Sequence, residues 1–308
     1  LKLGLPSKKA LIKAWSSKRP DVVHIATEGP LCWSALQAAQ TLRLPVTSDF
    51  RTNFHSYCEH YGVGWLSKPI VAYLRKFHNR TAFTMVPTTA LKHQLEALGF
   101  KNLKVVARGV DTQLFHPDKR SETLRASWGA TTQTLVLLSV GRLAAEKNLD
   151  LTLKTYRAIA ATGRNVQLVI AGDGPLRAAT QAKCPEAVFV GMCTHEQLAA
   201  VYASADVLMF PSLTETFGNV TLESLACGTP VLAFDCAAAG EFVVHQQNGW
   251  LVPSDAPDRY IEQGLDITAD GAKLMKARSF ARSSVEHLGW HEIAAQVETI
   301  FERAIDMA

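Results

Sequence analysis

Short apolar runs alternate with stretches of helical periodicity along almost the whole chain, and that alternation leaves few folds open. Runs at 21–27, 45–50, 82–87, 103–107, 134–140, 166–171 and 206–211 read as buried strands, while 7–15, 31–42, 69–79 and 88–98 carry apolar residues at helical spacing. Strands separated by helices pair in parallel, so the sequence predicts an α/β protein built on parallel sheets. Residues 109–117 break both periods, and the pattern restarts at Leu135. Two domains are therefore predicted, 1–120 and 121–289, followed by an amphipathic stretch 290–308. In that stretch Ile293, Val297, Ile300 and Phe301 have the spacing to pack on a neighbouring element. With 308 residues, 47% of them hydrophobic and 19% charged, the chain has enough apolar surface for two cores and too little charge for a disordered protein.

Three predicted strands end in loops whose residues point to one ligand, and in α/β sheets ligands lie outside the carboxyl ends of the strands. The strand 206–211 runs into Glu215-Thr-Phe-Gly-Asn-Val-Thr-Leu-Glu223, with Glu215 in the loop and Glu223 about two turns further on. An elongated, hydroxyl-rich ligand laid across the helix start would touch both, although the helix dipole alone also favours glutamates there. The strand 134–140 is turned by Gly141, and Arg142 and Lys147 flank the approach to a helix predicted from about Asn148. Arginine forks two phosphate oxygens and lysine adds a point charge, so two such cations at a helix start read as a diphosphate clamp. The strand 166–171 ends in Gly172-Asp-Gly-Pro175, whose glycines would let backbone approach a ligand closely. Each loop alone is common turn or surface chemistry; their place on one side of one sheet is the signal.

The chain resembles the retaining glycosyltransferases of family 4, which have the GT-B fold, two Rossmann-like domains facing a cleft. The resemblance rests on Val140-Gly-Arg-Leu-Ala-Ala-Glu-Lys-Asn148, Ala171-Gly-Asp-Gly-Pro175, Ala203-Ser-Ala-Asp-Val-Leu-Met-Phe-Pro-Ser212, the run from Glu215 to Glu223, Ala226-Cys-Gly-Thr-Pro-Val231 and Asn248-Gly-Trp-Leu-Val-Pro253. These cover most of the carboxyl-terminal half in the family's order. The resemblance implies a nucleotide-sugar donor, GDP-mannose or a UDP-sugar, with Arg142 and Lys147 on its diphosphate, Glu215 on its sugar and Glu223 on its ribose. Arg142, Lys147 and Glu215 are then the catalytic set, and Gly141, Gly172, Gly174, Phe217, Gly218, Asn219 and Val220 complete the donor site. It implies a hexosyltransferase, mannose favoured and glucose next, acting on a lipid or saccharide hydroxyl with no metal and no further cofactor. It also implies a longer first domain: a glycine-rich loop and roughly 60 to 80 residues are expected ahead of the strand at Val22, so the amino-terminal domain is expected to be truncated. In the family the terminal stretch crosses back to the first domain.

On the acceptor side the chain departs from the family pattern. Arg51 stands where many relatives carry histidine, and His55 follows four residues later. Arg51 would meet a phosphate or acidic group and His55 a sugar hydroxyl. His55, Tyr57, His60, Tyr61 and Trp65 suit a wall for a sugar or lipid and equally a core. His55, Cys58 and His60 lack a fourth ligand at structural metal-site spacing. The six cysteines show no metal-ligand pairing and read as reduced thiols of a cytoplasmic protein. A net charge of +4 without long basic runs argues against a nucleic-acid partner and leaves a weak attraction to anionic membranes. No stretch approaches the roughly 20 apolar residues of a membrane span, so the expected membrane contact is peripheral, at the inner face. Two rival classes remain, a nucleotide-sugar epimerase of related fold, which needs no acceptor, and a binding protein without catalysis. A two-carboxylate hydrolase is disfavoured, because a diphosphate clamp has no place in one.

Overall fold

Every strand pair among the described residues is parallel, as crossovers through helices require. The structure is a computed structural model and describes residues 4–51 and 67–308. The chain divides into two units, Leu1–Arg108 with His291–Ala308, and Gly109–Trp290.

The first unit runs α1 (Lys8–Ser17), β1 (Val23–Ile25), α2 (Pro30–Thr41), β2 (Val46–Asp49), α3 (Ser67–His78), β3 (Phe83–Val86), α4 (Thr89–Ala97) and β4 (Leu103–Val105). Its strands lie in chain order, β1-β2-β3-β4. Helix starts follow local chemistry: Pro30 stands in the first turn of α2, where its missing N–H costs nothing, and the Thr88 hydroxyl accepts from Leu91 N–H to cap α4.

A buried polar chain ties β2 and β3 to α3. The Ser48 hydroxyl lies 2.9 Å from His78 Nδ1, 2.9 Å from the Thr84 hydroxyl and 3.1 Å from that of Thr81, while His78 Nε2 lies 3.0 Å from Glu28 Oε1. Serine, histidine and glutamate wired in this order resemble a hydrolase triad. Ser48 and His78 are fully buried, however, so no substrate reaches the hydroxyl and the chain is structural.

The second unit contains α5 (Glu122–Ser127), β5 (Leu135–Val140), α6 (Leu149–Ala161), β6 (Val166–Ala171), α7 (Arg177–Lys183), β7 (Val188–Gly191), α8 (His195–Ser204), β8 (Val207–Phe210), α9 (Asn219–Ala226), β9 (Val231–Phe234), α10 (Ala237–Phe242), β10 (Gly249–Val252), α11 (Pro257–Ala269) and α12 (Gly271–Ala281). Thr194 and Gln197 have the spacing of a capping box, and that box opens α8. Strand order is β10-β9-β8-β5-β6-β7. The chain thus winds outward from β5 to β7, returns to β8 beside β5 and winds the other way, the doubly wound order with its reversal between β5 and β8. Leu137, Leu168, Ile170, Met209, Leu232 and Phe234 of this sheet form one core with Leu153, Tyr156 and Ile159 of α6 and Tyr260 and Ile267 of α11.

The division between units falls ahead of the boundary expected after residue 120. The segment after Arg108 is held by the second unit: Val110 N–H donates to Leu288 O at 2.9 Å, and Arg282 donates to the carbonyls of Thr112 and Phe115, both at 3.1 Å. The last helix, α13 (Trp290–Asp306), places Ile293, Ile300 and Ala304 in a cluster with Phe83, Met85 and Val106 of the first unit.

Candidate functional site

Because winding reverses between β5 and β8, the loops leaving these neighbouring strands diverge to opposite faces of the sheet and open a crevice at their carboxyl ends. After β5, Gly141 adopts φ +142 and the chain enters a 3-10 turn, Ala145–Lys147. Asn148, at φ 51 and ψ 46, then joins this turn to α6, so the helix begins one residue later than predicted and Lys147 sits on the turn before it. After β8 the loop brings Glu215 back to meet it. Lys147 Nζ donates to Glu215 Oε1, the Ser212 hydroxyl donates to the same oxygen at 2.9 Å, and the Lys147 ammonium lies 5.3 Å from the centre of the Phe210 ring. Leu213 N–H donates to Glu146 O at 2.8 Å and locks the two loops together. The pair is largely removed from water, with Lys147 19% and Glu215 13% exposed. Arg142 is exposed and belongs to no ion pair among the described residues. The two predicted clamp cations therefore differ: one already has a counter-charge, the other points to solvent.

The glycines of the third loop act on the first. A Cβ on Gly172, whose φ is +126, would stand 2.0 Å from Gly141 O, and one on Gly174 would stand 2.5 Å from Leu143 O. Leu143 N–H donates to Asp173 O and Leu176 N–H to Leu143 O, both at 2.9 Å. The close backbone approach predicted from these glycines is thus an approach of loop to loop, which fixes the path on which Arg142 and Lys147 are carried. Gly172→Ala is accordingly expected to destabilise the protein by about 2 to 4 kcal/mol, combining left-handed strain with an overlap that a carbonyl cannot relieve. Urea unfolding of the variant checks this, and a loss below about 0.5 kcal/mol would contradict the loop contact.

Gly218, at φ +90, turns the chain into α9, whose first residues are Asn219 and Val220, and as a glycine it offers this helix start no side-chain cap. A helix start of this kind can hold an anion. Phe217 is buried beside Phe242. On α9, Glu223 Oε2 accepts from the Tyr202 hydroxyl at 3.0 Å. Burial raises the Glu223 carboxyl above its ordinary range, opposed by the Tyr202 hydrogen bond and by His195. Glu215 thus meets Lys147 and Ser212 while Glu223 meets Tyr202, so the two glutamates have different partners on one loop and helix. Cys236 lies behind Glu215. Burial, then the Glu215 and Asp235 charges, push its thiol up to about 11, against the Lys147 charge, so it stays protonated.

Ser212, Phe210 and Tyr202 carry contacts that the sequence did not assign. The first two stood inside a recognised motif with no role given. Tyr202 had no signal at all, since no spacing links it to Glu223. In the first unit Arg51 is exposed and donates from Nε to Asp49 Oδ2 at 2.6 Å. His55, with Tyr57, Cys58, His60, Tyr61 and Trp65, lies outside the described residues. Among the described residues no group of three or more His, Cys, Asp or Glu is placed to hold a metal ion.

Two parallel α/β units, the second doubly wound with acidic and basic side chains gathered at its switch point, define the class. The profile described as glycosyl transferases group 1 matches residues 134–270, and that described as Glycosyltransferase Family 4 matches 1–114. A GDP-mannose-dependent alpha-mannosyltransferase of Mycobacterium tuberculosis (strain CDC 1551 / Oshkosh) is 36% identical over 82% of this chain and 65% of its own. One of the same name from Corynebacterium glutamicum is 31% identical over 95% of this chain and 69% of its own. The chain belongs to glycosyltransferase family 4. It spans about two thirds of the length of these relatives. The structure of Anabaena HepE in complex with UDP superposes with a TM-score of 0.80 at 18% identity, covering 96% of this chain and 82% of that one, so the GT-B fold expected from the sequence is borne out.

Proposed function

We propose that this chain is a retaining hexosyltransferase that moves a hexose, mannose favoured over glucose, from a nucleoside-diphosphate sugar to a hydroxyl of a lipid or saccharide, with no metal. The observation that carries this reading is the Lys147–Glu215 pair at the switch point between β5 and β8. Breaking the bond between sugar and diphosphate builds negative charge on the departing phosphate. Lys147, with Arg142 swinging in from solvent, stabilises that charge. The anomeric carbon becomes oxocarbenium-like, Glu215 holds sugar hydroxyls, and the acceptor hydroxyl attacks on the face the diphosphate leaves. Glu223, half-buried and oriented by Tyr202, takes the ribose hydroxyls. The names of the relatives favour a mannosyl donor, and their being transferases favours transfer over epimerisation. Incubation with GDP-mannose and UDP-glucose, with and without acceptor, tests the reading: sugar appearing on an acceptor supports it, and epimerised donor without acceptor would replace it.

Peripheral membrane contact from the cytoplasmic side belongs to the same proposal. The first unit carries 17 Lys and Arg against 9 Asp and Glu, a net +8, whereas the second carries 15 against 19, a net −4. Such asymmetry directs one unit toward anionic surfaces. Among the described residues no helix is long and apolar enough to cross a membrane.

The two glutamates separate by ligand. A bare nucleoside diphosphate has a ribose and no hexose, so Glu223→Ala is expected to weaken its binding about tenfold, the equivalent of one hydrogen-bonded contact. Glu215→Ala is expected to leave that binding within about threefold while turnover falls. Calorimetry with GDP and UDP decides the matter, and equal losses in both variants would refute the assignment.

A further inference from the structure

Arg51 follows β2 by two residues and Arg108 follows β4 by three, so both leave the carboxyl edge of one parallel sheet. The intervening β3 holds these ends level: Phe50 N–H donates to Met85 O and Val106 N–H to Val86 O, each at 2.9 Å. Arg51 has Asp49 as its partner. Arg108 is half-buried, and among the described residues no carboxylate forms an ion pair with it. Burial and the Arg51 charge both act against its guanidinium, and Asp49 offsets only part of this. His24 on β1 is held by Thr47 at 3.0 Å, and burial keeps its imidazole below the ordinary range, so it adds no charge at neutral pH. Two guanidinium groups thus lie at the edge of the sheet where α/β proteins bind ligands, and the one nearby carboxylate, Asp49, is paired with Arg51. A cation partly withdrawn from water with a second cation beside it is unfavourable unless an anion completes the arrangement.

We propose that Arg108 and Arg51 form an oxyanion site on the first unit that recognises a phosphate or carboxylate group of the acceptor. Arginine suits this task because its planar fork binds two oxygens at once. The anion site stands on the first unit alone; its identity as the acceptor site rests on the transferase reading.

The test uses the full chain labelled with 15N-arginine, its Nε–Hε resonances assigned with Arg51→Lys and Arg108→Lys. Inorganic phosphate is titrated first, with GDP or UDP present to occupy the second unit. Saturable shifts of both resonances with one common Kd are expected, with Arg108→Gln weakening phosphate binding at least about tenfold and Arg108→Lys retaining part of it. Glycerol 3-phosphate and phosphatidic acid vesicles then distinguish the source. Vesicle retention lost in Arg108→Gln upholds the site with a lipid headgroup, and binding of glycerol 3-phosphate without such retention upholds it with a soluble anion. No saturable shift at Arg108, or equal phosphate affinity in wild type and Arg108→Gln, overturns the proposal. Should Arg108→Gln fail to fold, the wild-type resonances alone decide. Transfer that proceeds to an acidic acceptor with kcat/KM unchanged by Arg108→Gln overturns the acceptor assignment while the transferase reading stands. Phosphate bound at Arg108 in a chain that glycosylates no acceptor upholds the anion site and removes the transferase reading instead.

Discussion

Replacing Lys147 with alanine is expected to lower turnover by about a hundredfold to a thousandfold, the roughly 2.7 to 4 kcal/mol lost when one preorganised donor to a developing negative charge is removed. Its ammonium is positioned before any ligand arrives: a 3-10 turn and a left-handed Asn148 fix its backbone, and the Phe210 ring lies against its charge. Without a donor sugar, Glu215 supplies the counter-charge. A bound diphosphate would take that place, exchanging one anionic partner for another, and would release Glu215 toward the sugar. Three results follow. Lys147→Ala lowers kcat more than it weakens substrate binding, because the charge it meets is greatest in the transition state. Lys147→Ala combined with Glu215→Ala costs less than the sum of the two, since each single change disturbs the same pair. Arg142→Ala also lowers turnover about a hundredfold, its fork reaching the same phosphates from solvent. Steady-state kinetics on the four variants, Glu215→Ala included, measure all of this, and unchanged turnover in both Lys147→Ala and Arg142→Ala would remove the clamp.

The contact behind this prediction joins residues 68 apart in sequence, and only part of it was legible there. Alternation of strand and helix announces a parallel sheet, and the loops after 140 and 210 announce polar chemistry at strand ends. It does not state that β8 returns to lie beside β5, and that adjacency brings Lys147 onto Glu215. Local signals transferred well where one turn of backbone decides the outcome, as in the Thr194 capping box. They transferred less well where a partner is remote. The glycines at 172 and 174 were read for a ligand, yet their missing Cβ atoms make room for the loop 141–143. The strand predicted over 21–27 pairs only at Val23–Ile25, opposite Val46–Ser48, and composition does not encode where pairing stops. Residues 109–117 read as a linker from their aperiodic sequence, while Arg282 and Leu288, far along the chain, hold Val110, Thr112 and Phe115.

Asp206 illustrates a strong effect hidden in an ordinary sequence position. It stands immediately before β8 and pairs with three arginines, accepting hydrogen bonds from Arg125 at 3.1 Å and Arg120 at 3.4 Å and forming an ion pair with Arg278 at 3.6 Å. Its Oδ2 also accepts from Val136 N–H at 2.8 Å, which anchors the start of β5. The same guanidiniums donate to the carbonyls that end α8: Arg125 to Ser204 O at 2.7 Å, Arg278 to Ala205 O at 2.8 Å and Arg120 to Ala203 O at 3.4 Å. Cations at a helix carboxyl end are favourable, but Arg125 is 1% exposed, and its Nε has no hydrogen-bond partner among the described residues, with Glu122 3.6 Å away as a charge. Burial already acts against the Arg278 charge, and Asp206 is the group that offsets it. Asp206→Ala would leave Arg278 without its ion-pair partner and Arg120 and Arg125 with only the exposed Glu122, and removal of one partner from such a buried arrangement costs about 3 to 5 kcal/mol. Asp206→Asn keeps an acceptor for Val136 N–H and loses only the charge, so its cost is expected to be smaller, about 1 to 3 kcal/mol. The hub lies at the opposite ends of β5 and β8 from Lys147 and Glu215. Nucleoside diphosphate affinity at a temperature where the variant is still folded should therefore match wild type, while its urea midpoint falls steeply. A midpoint within about 1 kcal/mol of wild type for Asp206→Ala would mean that water already neutralises the three arginines, and that the hub does not hold β5 to β8.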